Sequence, residues 1–122
     1  HLRRDVRRQR RGRRAFDYVA AERARAYIHA HLDTNIALDD LEHASGRDRW
    51  SLSRDFRALF GTSPYRYVTL RRLDHCRALM HAGVALADAA LIAGFFDQSH
   101  MTRHFIRAFG LSPARWLGML KL

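Results

Sequence analysis

The sequence predicts an all-α fold of about seven helices, arranged as two helix-turn-helix units joined by one long linker helix. Three observations carry this expectation. The first is an internal repeat: residues 97–116 (DQSHMTRHFIRAFGLSPARW) align without a gap on residues 48–67 (DRWSLSRDFRALFGTSPYRY). Eight of the twenty positions are identical, Asp48/Asp97, Arg54/Arg103, Phe56/Phe105, Phe60/Phe109, Gly61/Gly110, Ser63/Ser112, Pro64/Pro113 and Arg66/Arg115, where chance gives about one. The second is punctuation: apolar residues recur at helical spacing in segments that open on Asp or Ser and close on Gly. The third is that no alternating β-branched run occurs anywhere in the chain.

Taken in order, Asp17 is placed to N-cap a helix running to about Leu32, with Ala20, Ala24, Tyr27, Ile28 and His31 on one stripe. The cluster Asp33, Thr34, Asn35 ends it. A short helix from about Leu38 to Ala44 turns Leu38, Leu41 and Ala44 inward, and Gly46 supplies the turn. Asp48 then caps a helix to Phe60 with Leu52, Phe56, Leu59 and Phe60 inward, stopped by Gly61. Ser63 and Pro64 open a helix of roughly 18 residues to His81, about 27 Å long at 1.5 Å per residue. Val68, Leu73, Cys76, Leu79 and Met80 form its apolar side. Gly83 ends it, and a second short helix over about 86–93 leads to Gly94 and Phe95. Asp97 caps a helix to Phe109 with Met101, Phe105 and Phe109 inward, and a last short helix carries Trp116, Leu117 and Leu120. The expected divisions are a tail or linker over 1–16, a first unit over 17–63, the linker helix over 64–82 and a second unit over 83–122.

Composition narrows the function. With 122 residues and 48% apolar content the chain is one domain's worth, or two very small subdomains. No apolar run approaches the roughly 18 residues needed to span a bilayer, so no membrane association is expected. The chain starts at His1 with no signal-peptide pattern and reads as a piece of something longer or a processed product. Net charge is +10, and residues 1–14 alone hold eight arginines against Asp5. Of the 22 basic residues only Lys121 is not arginine. The planar guanidinium fork suits phosphate and guanine, so a polyanion is the natural partner. The single cysteine, Cys76, excludes an internal disulfide and a multi-cysteine zinc site. In its apolar register it reads as a buried thiol of a reducing, cytoplasmic environment.

In a helix-turn-helix the second helix enters the major groove, and its outward residues meet base edges. With the apolar positions inward, the first such helix presents Arg49, Trp50, Ser53, Arg54 and Arg57 outward. The second presents Gln98, Ser99, His100, Thr102, Arg103 and Arg107. Arginine pairs with guanine, glutamine with adenine, and an indole packs against a thymine methyl. A merely solvated face would explain one such helix; two in register favour reading of DNA.

The segment GFFDQSHMTRHFIRAFGLSP resembles the signature of the AraC/XylS family of bacterial transcription regulators, and GRDRWSLSRDFRALFGTSPYRYV resembles the family's weaker upstream unit. The resemblance covers about Ala20 to Leu120. It implies two helix-turn-helix subdomains bridged by a long helix, each placing one recognition helix in successive major-groove segments of double-stranded DNA, about 34 Å apart. Carried over by motif position, the base-reading residues fall on Trp50, Ser53, Arg54, Gln98, Ser99, His100 and Arg103. Arg49, Arg57, Arg66 and Arg107 are the expected phosphate partners, which fix register without reading sequence. The sequence departs from the family pattern at three places. Glu42 stands for a small residue, Arg47 for an apolar one after the turn glycine, and Ala89 for Ile or Val. A charge at a helix crossing must reach solvent or a partner.

No cofactor and no catalytic group is expected: there is no Ser-His-Asp grouping, Gly-rich phosphate loop or paired carboxylate site. Asp39 and Asp40 sit in a first helical turn, where negative charge is favoured anyway. His100 and His104 are one turn apart but lack the third ligand of a metal site, which leaves His100 to the DNA face and His104 to a subdomain surface. The residues give no enzyme, and the resemblance implies a nucleoid-associated regulator, the C-terminal part of a longer chain whose N-terminal portion supplies effector binding or dimerisation. RNA polymerase would be a further partner of an activator. The alternatives are a complete single-domain regulator controlled by its abundance, or a nonspecific nucleic-acid-binding module driven by the arginine-rich tail.

Overall fold

The computed structural model describes residues 16–121. The arginine-rich segment 1–14 lies outside them. Among the described residues there are seven helices and no strand: α1 (Tyr18–Ala30), α2 (Leu38–Ser45), α3 (Arg49–Phe60), α4 (Pro64–His81), α5 (Leu86–Ile92), α6 (Gln98–Phe109) and α7 (Pro113–Leu120). They divide into two compact units. The first ends at Ala30 and resumes over Ile36–Pro64; the second takes His31–Asn35 and Tyr65–Leu122.

In the first unit α1 packs on both α2 and α3, and α2 on α3. Asp17 starts α1 by accepting a hydrogen bond from the Ala20 N–H at 2.9 Å. Asp40 starts α2 by reaching back to the Ala37 N–H at 2.9 Å, half of a capping box. Asp48 starts α3, its carboxylate accepting from the Ser51 N–H at 3.0 Å, and Gly61 closes it in the left-handed conformation. The small face of α1 (Ala20, Ala21, Ala24) is buried, as are Ile28, Leu41, Leu52 and Phe56. Removing a fully buried phenylalanine such as Phe56 costs about 3–5 kcal/mol, so this one residue holds much of a small unit together.

In the second unit the core is contributed by Leu73, Cys76 and Met80 of α4, Ala89 and Ala90 of α5, Ala93 and Phe95 of the turn, and Met101 and Phe105 of α6. Trp116 of α7 closes it edge-on against the Phe105 ring, centroids 5.9 Å apart. Asp97 caps α6 through the His100 N–H at 2.7 Å, Gly110 ends it, and Ser112 caps α7 through the Arg115 N–H at 3.2 Å. Cys76 is free and buried, and burial pushes its thiol pKa up to about 12. Among the described residues no helix is long and apolar enough to cross a membrane.

Two leucines expected inward are not. Leu38 is 48% exposed and Leu59 37%. Leu38 opens α2 and Leu59 lies in the last turn of α3, where the apolar stripe outruns the neighbouring element. The first helix stops at Ala30 rather than Leu32, because the Thr34 N–H and hydroxyl both turn back onto the His31 carbonyl, at 3.0 and 2.9 Å. Ala89, where the family carries a larger residue, is fully buried.

Gly94, in the turn before α6, needs to be glycine for two reasons. Its φ is +100°, and a Cβ there would collide with the Leu32 carbonyl oxygen and the Arg72 guanidinium. The Arg72 Nε donates to that same carbonyl at 2.8 Å, so neither group can yield cheaply. Gly83 has a similar φ of +95° but open space around it. Gly94→Ala is expected to lose roughly 2–4 kcal/mol in urea unfolding, and Gly83→Ala only the backbone strain, about 1–2 kcal/mol. Equal losses would contradict the steric argument.

Candidate nucleic-acid interface

On α3, burial of Leu52 and Phe56 sends the helix's other stripe outward. Trp50 is 79% exposed, Arg54 and Arg57 are exposed, and Ser53 is half-buried beside them. The spacing 50, 53, 54, 57 puts all four on one face. The Arg54 guanidinium lies over the Phe16 ring, 5.9 Å from its centroid.

Arg49 is placed differently from Arg54 and Arg57. Its backbone N–H donates to Glu42 Oε2 at 2.7 Å, and its guanidinium reaches Glu42 Oε1 at 3.0 Å and Asp39 Oδ1 at 2.5 Å. The Arg49 hydrogen bonds hold the Glu42 carboxyl below the usual carboxylate range. The expected phosphate partner is thus already flanked by two carboxylates, and its charge does not add freely to the outer face. This also accounts for Glu42 at a position where a small residue is usual: it bridges α2 to the first turn of α3.

The second departure is resolved in the same way. Arg47, in the turn, reaches Asp55 of α3 with its Nε and Nη2, both 2.9 Å from Oδ2. Asp55 is 1% exposed, while the Arg47 side chain is 28% exposed. Sequence reasoning missed this pair. The available signal was that Asp55 falls between Leu52 and Phe56 on the inward side, where an acid requires a cationic partner.

On α6, Met101 and Phe105 are buried, and Gln98, Ser99, Arg103 and Arg107 are exposed with Thr102 half-buried. Arg103 makes no ion pair with a described residue, so of the expected readers it carries an unneutralised charge. His100 and His104 are brought together, their Nε2 atoms 3.1 Å apart and their rings edge to face at 4.7 Å. The Phe96 N–H points at His100 Nδ1, 3.4 Å away. Burial, then His100, Arg107 and Arg103, lower the His104 pKa. Phe96, in the turn, is 84% exposed and was not singled out from the sequence. Arg66 is exposed in the first turn of α4. Among the described residues no group of three or more His, Cys, Asp or Glu could hold a metal ion.

A family model described as a helix-turn-helix domain matches residues 41–119. A probable transcription factor of Proteus vulgaris, PqrA, is 33% identical over 82 residues, 66% of this chain and 67% of its own. An uncharacterised helix-turn-helix-type transcriptional regulator of Bacillus subtilis is 35% identical over 75 residues, 62% of this chain but only 27% of its own length. Among solved structures, a probable AraC family regulator from Rhodopseudomonas palustris has a TM-score of 0.71 at 26% identity, covering 82% of this chain and 95% of that one. The DNA-binding domain of the global transcriptional factor AdpA, solved with a target DNA, has a TM-score of 0.76 at 24% identity over 86% of this chain and 95% of its own. The chain is a helix-turn-helix module of transcription-regulator type. It belongs to the AraC/XylS family.

Breaking the Arg47–Asp55 pair from the arginine side strands a buried carboxylate. Arg47→Ala is expected to lower unfolding stability by about 3 kcal/mol, and Arg47→Leu combined with Asp55→Leu to recover most of it. Additive losses in this cycle would show that the two side chains do not act as a pair.

Proposed function

We propose that α3 and α6 are the recognition helices of a sequence-specific, double-stranded DNA-binding module, each reading one major-groove segment of the same site. The observation that carries this is the repeated frame. Each helix begins at a capping aspartate, buries two apolar residues, ends at a left-handed glycine, and leaves an exposed arginine at the equivalent position, Arg54 and Arg103. Trp50, Ser53 and Arg54 read bases in one segment; Gln98, Ser99, His100 and Arg103 read them in the other. Arg57, Arg66 and Arg107 hold phosphates, and Arg49 does so only to the extent that its bridge to Glu42 and Asp39 leaves charge to spare. The module is non-enzymatic and works in the cytoplasm. That the chain spans 27% and 34% of two regulators it matches supports a role as the DNA-binding part of a longer, effector-responsive protein.

Selection of bound sequences from a random DNA pool is expected to return two short blocks about one helical turn apart. On the selected site Arg103→Ala should lose roughly 1–3 kcal/mol and relax base preference in one block only. Arg57→Ala should weaken selected and scrambled DNA alike and shrink the salt slope by about 0.9. If Arg103→Ala lowers affinity equally on selected and scrambled DNA, base reading by that residue is wrong. If removing residues 1–14 abolishes all binding and no preference remains, the module is a nonspecific one.

A further inference from the structure

The two copies fasten the turn to the recognition helix at equivalent positions by different chemistry. In the first copy, turn residue Arg47 is tied to Asp55, eight residues on. Adding the repeat offset gives Phe96 and His104. There the connection runs through His100: the Phe96 N–H faces His100 Nδ1 at 3.4 Å, and His100 Nε2 faces His104 Nε2 at 3.1 Å. This geometry specifies where the protons are. A backbone N–H can only donate, so His100 Nδ1 accepts and its proton sits on Nε2. His100 Nε2–H then donates to His104 Nε2, which leaves the His104 proton on Nδ1. Both nitrogens of His100 are occupied, so the ring is held in place.

A proton added at His104 Nε2 puts two N–H donors face to face and opens the link. An added proton at His100 Nδ1 sets a second donor against the Phe96 N–H. The charges acting on His104 are His100, Arg107 and Arg103, all on its own helix. Asp97 caps the same helix, one turn before His100 and two before His104. From the neighbouring elements, Asp88 of α5 and Arg115 of α7 do not figure among the charges acting on it, and Arg77 of α4 lies over Phe109 at the helix's far end. The charges acting on His104 are thus all positive and disfavour its protonation, whereas the hydrogen bond to Asp55 raises the Arg47 pKa and keeps the first copy's link charged.

We propose that His100 and His104 form a protonation-sensitive lock between the turn and α6, with His104 as the positioning residue, so that sequence discrimination by the second copy weakens in mild acid while that of the first does not. The inference rests on α6 meeting DNA, as argued above. Burial and neighbouring positive charge favour the neutral His104 ring, so the link is present at neutral pH and is lost as pH falls through the lowered His104 pKa.

Two measurements on the full chain test it. Nitrogen chemical shifts of the two imidazoles at pH 7.5 should show His100 protonated at Nε2 and His104 at Nδ1; the reverse tautomer of His100, or a free mixture, overturns the lock. The ratio of affinities for the selected site and for a site with only the α6 block scrambled should fall by about tenfold from pH 7.5 to 5.5. With only the α3 block scrambled it should change less than about twofold. His104→Gln, whose amide oxygen still accepts from His100 and does not titrate, should keep the ratio at pH 7.5 and blunt its loss in acid; circular dichroism at both pH values checks that it stays folded. A ratio that does not change with pH, or that falls equally in His104→Gln, sinks the lock alone. If the chain shows no sequence preference at any pH, the DNA-reading assignment fails instead, and the tautomers still decide whether the lock exists.

Discussion

Everything outward on the two recognition helices depends on what each helix buries. Leu52 and Phe56 on α3, and Met101 and Phe105 on α6, are held in cores where each is nearly or wholly inaccessible. At about 100° per residue, burying positions i and i+4 leaves no choice about which residues face away. Capping aspartates set where the helices begin and left-handed glycines set where they end. A shift of one residue would turn the arginine stripe toward the core, where an unpaired charge costs several kcal/mol. The hydrophobic anchor thus specifies the polar face, and that is why the same frame can carry two different outer surfaces.

How much of this was legible can be judged residue by residue. Caps and stops were readable because Asp, Ser, Pro and Gly act locally, through groups within three or four residues. The buried halves of α3 and α6 were readable because the period of the apolar residues is a local property too. The failures share another physical origin. Leu38 and Leu59 follow the period but lie where no neighbour extends to cover them, and the extent of a neighbour is a tertiary fact. The Arg49 bridge to Glu42 and Asp39 joins residues seven and ten apart across a turn. Its three members were each noticed, as a phosphate partner, a departure from the family and a first-turn acid, without being joined. Asp55 and His104 were missed as anchoring groups because their partners, Arg47 in the turn and His100 on the same helix, are set by tertiary placement, although the inward register of Asp55 already called for a cation.

These pairings alter the electrostatic picture that composition suggests. By sequence the first helix, with Arg49, Arg54 and Arg57, is the more positive reader. In the structure Arg49 is committed to two carboxylates and Arg54 lies over an aromatic ring, whereas Arg103 and Arg107 of the second helix are exposed. Screening reduces any attraction beyond about 8–10 Å at physiological salt, so it is these local neighbours, and not the net charge of +10, that set the potential a phosphate meets at contact.

The two copies have kept their frames and diverged at the positions that fasten the turn. Arg47 with Asp55 is an ion pair whose acid is fully withdrawn from water, and its partner's guanidinium stays charged at any physiological pH. His100 with His104 is a link between two imidazoles, and burial with the charges of His100, Arg107 and Arg103 lowers the His104 pKa. An ion pair of the first kind could have served in both copies, since the frame accommodates it in one. On the DNA-reading assignment, the substitution of a titratable link at the second copy leaves Phe96 exposed where Arg47 is drawn down onto its helix. His100 and His104 stand on the same helix as Gln98 and Ser99. The turn of the second copy then contributes apolar contact and proton-dependent polarity to a surface whose counterpart in the first copy is closed by charge. One duplicated fold thereby yields two readers with different chemistry, and a chain carrying both is suited to a site whose halves differ.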